Sequence, residues 1–162
     1  MEEQWTTVGL IGHTGYIGPR HIAGWRALGI EEPYLQFCNS KDDWVKFVHR
    51  PDIKIIDIAT PIWLHTAMIK EAIKAGKDVI CEKPLANNLK DAYEIVELSK
   101  RTTQKIGIIY QCRFNPKYQK LKNDVQSGKY GDIKMVMCEY FRDKNDEHFA
   151  NADSNRREFF QS

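Results

Sequence analysis

The sequence predicts an α/β protein built on a doubly wound parallel sheet. Three observations point there. A glycine-rich turn at 12–18 joins an apolar run to a helical segment. Short, almost unbroken apolar runs at 53–59, 79–81 and 105–110 have the character of strands covered on both faces. Segments with helical spacing of apolar residues separate those runs, the alternation that gives crossovers between parallel strands.

Taken in order, Thr6 to Ile11 reads as the first strand and runs into Gly12-His13-Thr14-Gly15-Tyr16-Ile17-Gly18. A helix follows to about Leu28, with Pro19 tolerated in its first turn because the missing N–H would be unpaired there. A dinucleotide turn needs glycine for a tight bend, for close approach of the pyrophosphate and for helix–strand packing. Strict GxGxxG is absent, but Gly12-x-x-Gly15-x-x-Gly18 keeps all three tasks with one extra residue. A phosphate would then rest on free N–H groups at the helix N-terminus. Glycine-rich strand–helix turns also occur with no ligand, so the turn by itself leaves the matter open.

A doubly wound domain normally supplies two more strand–helix units before its fourth strand. Between Leu28 and Asp52 there is room for one: a strand at Tyr34 to Cys38 and a helix from about Lys41 to His49, capped by Ser40. One βα unit is therefore expected to be missing. The end of that strand, Asn39-Ser40-Lys41, falls about twenty residues past the glycine turn, where an acid usually binds the adenosine ribose of NAD. Asn39 and Ser40 would instead leave room for the extra phosphate of NADP. Ser40 as a plain helix cap is the competing reading.

From Asp52 the pattern is regular. Ile53 to Ala59 is a strand, Thr60-Pro61 ends it, and a helix runs from about Leu64 to Ala75 before Gly76. Val79 to Cys81 is the next strand, Asn88 caps a helix to about Arg101, and Lys105 to Tyr110 is another strand. Asn115-Pro116 opens a short helix stopped by Gly128, and Ile133 to Phe141 reads as a last strand. That strand would present an open edge, so the chain is expected to form a homo-oligomer through it. Lys83, in Glu82-Lys83-Pro84, emerges in the crevice beyond the strand ends, where open parallel sheets place ligands. A lysine held there is placed to donate a proton to a substrate oxygen.

The formal net charge of +2 is too small to suggest a nucleic-acid or membrane surface, and no apolar stretch approaches a membrane span. The four cysteines form no CxxC pair and no metal spacing, so no metal is expected. The start, MEEQWTT, lacks the pattern of a leader, and a cytoplasmic protein is the expectation.

These pieces together resemble the N-terminal part of the Gfo/Idh/MocA family, the glucose–fructose oxidoreductase and inositol dehydrogenase relatives. The matching residues are the glycine turn with Pro19-Arg20-His21, Ala59-Thr60-Pro61 with His65, Ala75-Gly76-Lys77, Cys81-Glu82-Lys83-Pro84-Leu85-Ala86, and Arg113-Phe114-Asn115-Pro116. The form of the turn also resembles that of dehydrogenases acting on UDP-N-acetyl-hexosaminuronic acids. The resemblance implies a Rossmann-type domain over 1–112 and the truncated beginning of a substrate and oligomerisation domain over 113–162. It implies an oxidoreductase using NAD or NADP on a hydroxyl of a sugar, sugar nucleotide or cyclitol. Carried over residue by residue, Gly12, Gly15, Tyr16 and Ile17 lie along the dinucleotide. Thr60, Pro61 and His65 flank its cleft, Glu82 lies near the nicotinamide ribose, and Lys83 is catalytic. For His65 a packing role is an equal alternative.

Family members also carry a G-G-x-x-x-D-x-x-x-H segment whose Asp and His complete substrate binding, and no such segment occurs here. His148 and Asp153 lack its glycine context. The expectation is an oxidoreductase with weak or no activity alone. A non-catalytic dinucleotide-binding or oligomerisation module is the alternative.

Overall fold

Five short strands lie parallel in one sheet in the order β2-β1-β3-β4-β5. They are β1 (Val8–Ile11), β2 (Leu35–Cys38), β3 (Ile55–Ile58), β4 (Asp78–Glu82) and β5 (Ile106–Ile109). The computed structural model describes residues 6–39, 43–139 and 141. The strand order is the doubly wound 3-2-1-4-5-6 with its outer strand absent, as the short 28–52 segment predicts. Each crossover carries a helix: α1 (Gly18–Ala27), α2 (Trp44–Val48), α3 (Ile62–Lys74) and α4 (Leu89–Arg101).

The chain steps one way from β1 to β2 and the other way thereafter. Right-handed crossovers therefore put α1 on one face and α2, α3 and α4 on the other. The apolar contacts follow that division. Ile11, Ile56, Ile58, Val79 and Cys81 share a core with Phe47, Met68, Ile69, Ala72 and Ile95. Val8, Leu10 and Leu35 pack with Ile17, Ile22 and Trp25 of the α1 side. Strands buried on both faces explain the unbroken apolar runs.

Helix ends are set locally. Gly76 takes φ +72° after α3, and Asn88 caps α4 by accepting the Asp91 N–H at 2.9 Å. At α2 the expectation fails: the cap is Asp43, whose carboxylate accepts the Lys46 N–H at 3.1 Å, and the helix starts at Trp44. Asp43 has the acceptor oxygen that a cap needs and stands immediately before the first apolar residue. Ser40, the expected cap, lies outside the described residues.

Lys77 braces the opposite end of the sheet. Its buried ammonium donates to the carbonyls of Arg50 and Ile53, both at 2.7 Å, and burial lowers its pKa. Lys77→Met should cost about 1–3 kcal/mol, because the buried Ile53 carbonyl loses its donor. Urea unfolding of the two proteins measures this, and equal midpoints would refute the brace.

The chain divides into two compact units, Met1–Asn115 and Pro116–Ser162. In the second, α5 (Pro116–Gln126) ends before Gly128, which takes φ +74°. Asp124 gathers Lys120, Lys129 and the Tyr130 hydroxyl at 2.6, 3.1 and 3.0 Å. The strand expected over 133–141 is not formed by the described residues of that stretch. An alternating apolar pattern makes a strand only when another strand accepts its backbone groups, and among the described residues none pairs with it. His148 and Asp153 lie outside the described residues. No described helix is long and apolar enough to cross a membrane.

Candidate functional site: the glycine turn and the strand ends

The glycine turn leaves β1 and bends back at Gly12, which has φ +92°. A Cβ there would stand 2.6 Å from the Ala59 carbonyl oxygen, so the turn passes directly over the end of β3. A Cβ at Gly18 would meet the His13 carbonyl oxygen at 2.2 Å. Gly15 is exposed, and a Cβ on it would face the Gly12 oxygen at 3.2 Å. The turn thus forms a cradle in which Gly12 and Gly18 press against the chain's own backbone and Gly15 lies exposed. The turn's own bonds tie it to the end of β2. Gly12 N–H donates to Cys38 O at 2.9 Å, and the Thr14 hydroxyl donates to Asn39 Oδ1 at 2.8 Å. Asn39 is thereby brought to the turn. Tyr16 is exposed, with the Arg20 guanidinium 5.5 Å from its ring centre, and Ile17 lies at the N-cap of α1.

On the other side of the switch point, Pro61 occupies the position before α3 and the buried Thr60 hydroxyl donates to Met68 Sδ at 3.5 Å. His65 is only 1% exposed. Its Nδ1 lies 2.8 Å from the Pro84 carbonyl oxygen and its Nε2 lies 3.0 Å from that of Thr60. The ring therefore lies between the loop after β3 and the loop after β4, with a carbonyl oxygen of each within hydrogen-bond distance of one nitrogen. Lys83 stands at the end of β4, exposed, before a cis peptide bond to Pro84. Its ammonium has no hydrogen-bond or ion-pair partner among the described residues.

Glu82 is directed onto the α1 side of the sheet, into a buried cluster the sequence reading did not find. His21 Nδ1–H donates to both oxygens of Asp57 at 2.9 Å, and Trp25 Nε1–H donates to Asp57 Oδ2 at 2.6 Å. His21 Nε2 reaches Glu82 Oε1 at 3.3 Å, while Glu82 Oε2 accepts the backbone N–H of Lys83 at 3.1 Å. The signal was an acid inside an apolar strand, together with His21 and Trp25 one helical turn apart. The cluster forms one wall of a cavity of about 470 Å³, which Ile17, Ile80 and Ile109 also line.

Burial opposes a charge on His21, but the hydrogen bonds and negative charges of Asp57 and Glu82 outweigh it and raise the pKa. A histidine whose pKa is higher folded than unfolded adds stability below about pH 6.5, its unfolded value. That contribution declines as pH rises through the folded pKa. Unfolding free energy should therefore fall from about pH 6.5 upward, and Asp57→Asn should flatten the slope. Urea melts at a series of pH values test this, and a wild-type curve as flat as the variant's would contradict it.

The profile of the oxidoreductase family with an NAD-binding Rossmann fold matches residues 27–110, about half of the chain. Levoglucosan dehydrogenase of Pseudarthrobacter phenanthrenivorans is 33% identical over 107 residues, 66% of this chain and 27% of the relative. Inositol 2-dehydrogenase of Gluconacetobacter diazotrophicus is 30% identical over 151 residues, 80% of this chain and 44% of the relative. The structure of a levoglucosan dehydrogenase with NADH and levoglucosan superposes with a TM-score of 0.67 at 28% identity. It covers 78% of this chain and 40% of that one. The chain thus spans less than half the length of these relatives. With its parallel sheet, glycine cradle and Glu82-Lys83-Pro84 strand end, the chain belongs to the Gfo/Idh/MocA family of oxidoreductases, as an NAD(P)-binding Rossmann-type domain.

Proposed function

We propose that this chain is the cofactor half of an NAD(P)-dependent oxidoreductase acting on a hydroxyl of a sugar, sugar nucleotide or cyclitol. The observation that carries the reading is the glycine cradle over the end of β3, with Lys83 at the end of the neighbouring strand β4. Gly12, Gly15, Tyr16 and Ile17 would hold the dinucleotide, with its pyrophosphate over the N-terminus of α1, where N–H groups and the helix dipole favour an anion. Asn39 and Ser40 would border the adenosine ribose, and Thr60 and Pro61 would border the cleft on the side of β3. When bound, the nicotinamide takes up the hydride of a carbinol carbon. Lys83 would donate a hydrogen bond to the oxygen on that carbon and stabilise the alkoxide that develops as its proton leaves. The names of the levoglucosan and inositol dehydrogenases support a sugar-like or cyclitol hydroxyl. Residues 113–162 would begin the substrate domain.

Titration with NADH and with NADPH, followed by fluorescence, tests the reading. Saturable binding of either is expected, and no binding of both would overturn it. Turnover of NAD(P)⁺ with a panel of sugars, sugar nucleotides and inositols should lie near background. A positioned general base contributes about 10²–10⁴-fold, and the Asp/His segment that would supply one is not in this sequence. Any residual rate should vanish in Lys83→Ala. Robust turnover abolished by that substitution would show a complete site in this chain. Binding with no turnover under any substrate would favour a non-catalytic nucleotide-binding module.

A further inference from the structure

We propose that His21 is a positioning residue for Lys83, acting through Glu82 to fix the backbone from which the lysine side chain springs. The proposal rests on the reading of Lys83 as the group that meets the substrate oxygen. Its basis is a continuous chain of contacts across three elements. Asp57 of β3 holds the His21 ring at 2.9 Å through both oxygens and is itself held by Trp25 at 2.6 Å, so the ring plane is fixed. The far side of the ring meets one oxygen of Glu82 on β4, and the other oxygen of Glu82 holds the Lys83 N–H. His21, Asp57 and Glu82 are 9%, 1% and 7% exposed, so little of each group is open to water. The Lys83 ammonium has no partner among the described residues, so the position of its backbone decides where it can reach.

The device depends on charge. Ionised Asp57 and Glu82 are acceptors only, and a histidine donates to both only as the imidazolium, with two N–H groups. When Nε2 gives up its proton, its lone pair faces the Glu82 carboxylate across 3.3 Å and the contact turns repulsive. Glu82 must then rotate, and its hold on Lys83 N–H rotates with it. The charged groups around the ring are Asp57 from β3, Glu82 from β4, and Arg20 from α1, which lines the same cavity but stacks on Tyr16. Nothing in this chain of contacts requires a bound cofactor. His21 sits in the first turn of α1, the helix that follows the glycine cradle.

NMR of the whole chain reads this without cofactor or substrate, so its failure would leave the nucleotide-binding reading intact. The His21 ring and the Lys83 amide are followed across pH in the wild type. The Lys83 amide should shift with the same midpoint as the ring. In Glu82→Gln the ring should still titrate while the Lys83 amide loses its response. At constant acidic pH, His21→Gln should displace the Lys83 amide from its wild-type position. A Lys83 amide that stays fixed while the ring titrates, or that is unmoved by His21→Gln, would overturn the proposal.

Discussion

Asp57→Ala will lower the unfolding free energy by about 3–5 kcal/mol, the cost of breaking a buried ion pair by removing one partner. Asp57 is 1% exposed on a central strand, and it is the acceptor for two donors, the buried His21 ring and the half-buried Trp25 indole. Its loss leaves His21 Nδ1–H and Trp25 Nε1–H without their acceptor. The remaining histidine also loses the carboxylate that favours its charge and keeps only Glu82. Asp57→Asn should cost less, because the amide oxygen still accepts one of the two donors. The exposed pair of Lys100 and Glu97, 2.7 Å apart, supplies the contrast: deleting Glu97 should cost no more than about 1 kcal/mol. Urea unfolding of the three variants ranks them. A cost for Asp57→Ala as small as that for Glu97→Ala would mean that the cluster contributes nothing.

Asp57 also marks where the sequence stopped being readable. The sheet and its helices were legible because their signals are local. Gly76 and Asn88 act on residues next to them, and the runs at 53–59, 79–81 and 105–110 announce strands by composition alone. The cluster is not local: His21 bonds to residues 36 and 61 positions away. An acid inside an apolar strand says that a partner must exist, but only the packing of α1 on the sheet, which brings His21 to β3 and β4, says which one. His65 had the same difficulty. Whether its ring faces a cofactor or two carbonyls depends on where Thr60 and Pro84 stop, and nothing in the neighbouring residues fixes that. The α2 cap went to Asp43 instead of Ser40 because several polar residues in a row can all cap, and the winner is set by where the helix must begin to bury Phe47 and Val48. The run at 133–141 failed for the opposite reason. Alternation describes a face, but a strand needs a neighbour to pair with.

Gly15→Val and Gly18→Ala should separate the cradle's two tasks, because one glycine faces outward and the other faces the chain. A Cβ at Gly18 would lie 2.2 Å from the His13 oxygen and 2.5 Å from its carbonyl carbon, and both are backbone atoms that no rotamer change can move. Gly18→Ala should therefore cost about 3 kcal/mol, at the upper end for overpacking, and distort the turn as a whole. Gly15 has only the Gly12 oxygen within close range, at 3.2 Å, and a small shift accommodates the new side chain. Its valine variant should stay within about 1 kcal/mol of wild type, as exposed substitutions usually do. Yet its isopropyl group would fill the space that a pyrophosphate must enter to reach the turn. Affinity for NADH should fall at least tenfold, equivalent to about 1.4 kcal/mol. Thermal melts and fluorescence titrations of both variants give the two readouts. A folded Gly15→Val protein that binds NADH as wild type does would show that the dinucleotide does not use this turn, whatever the fold around it.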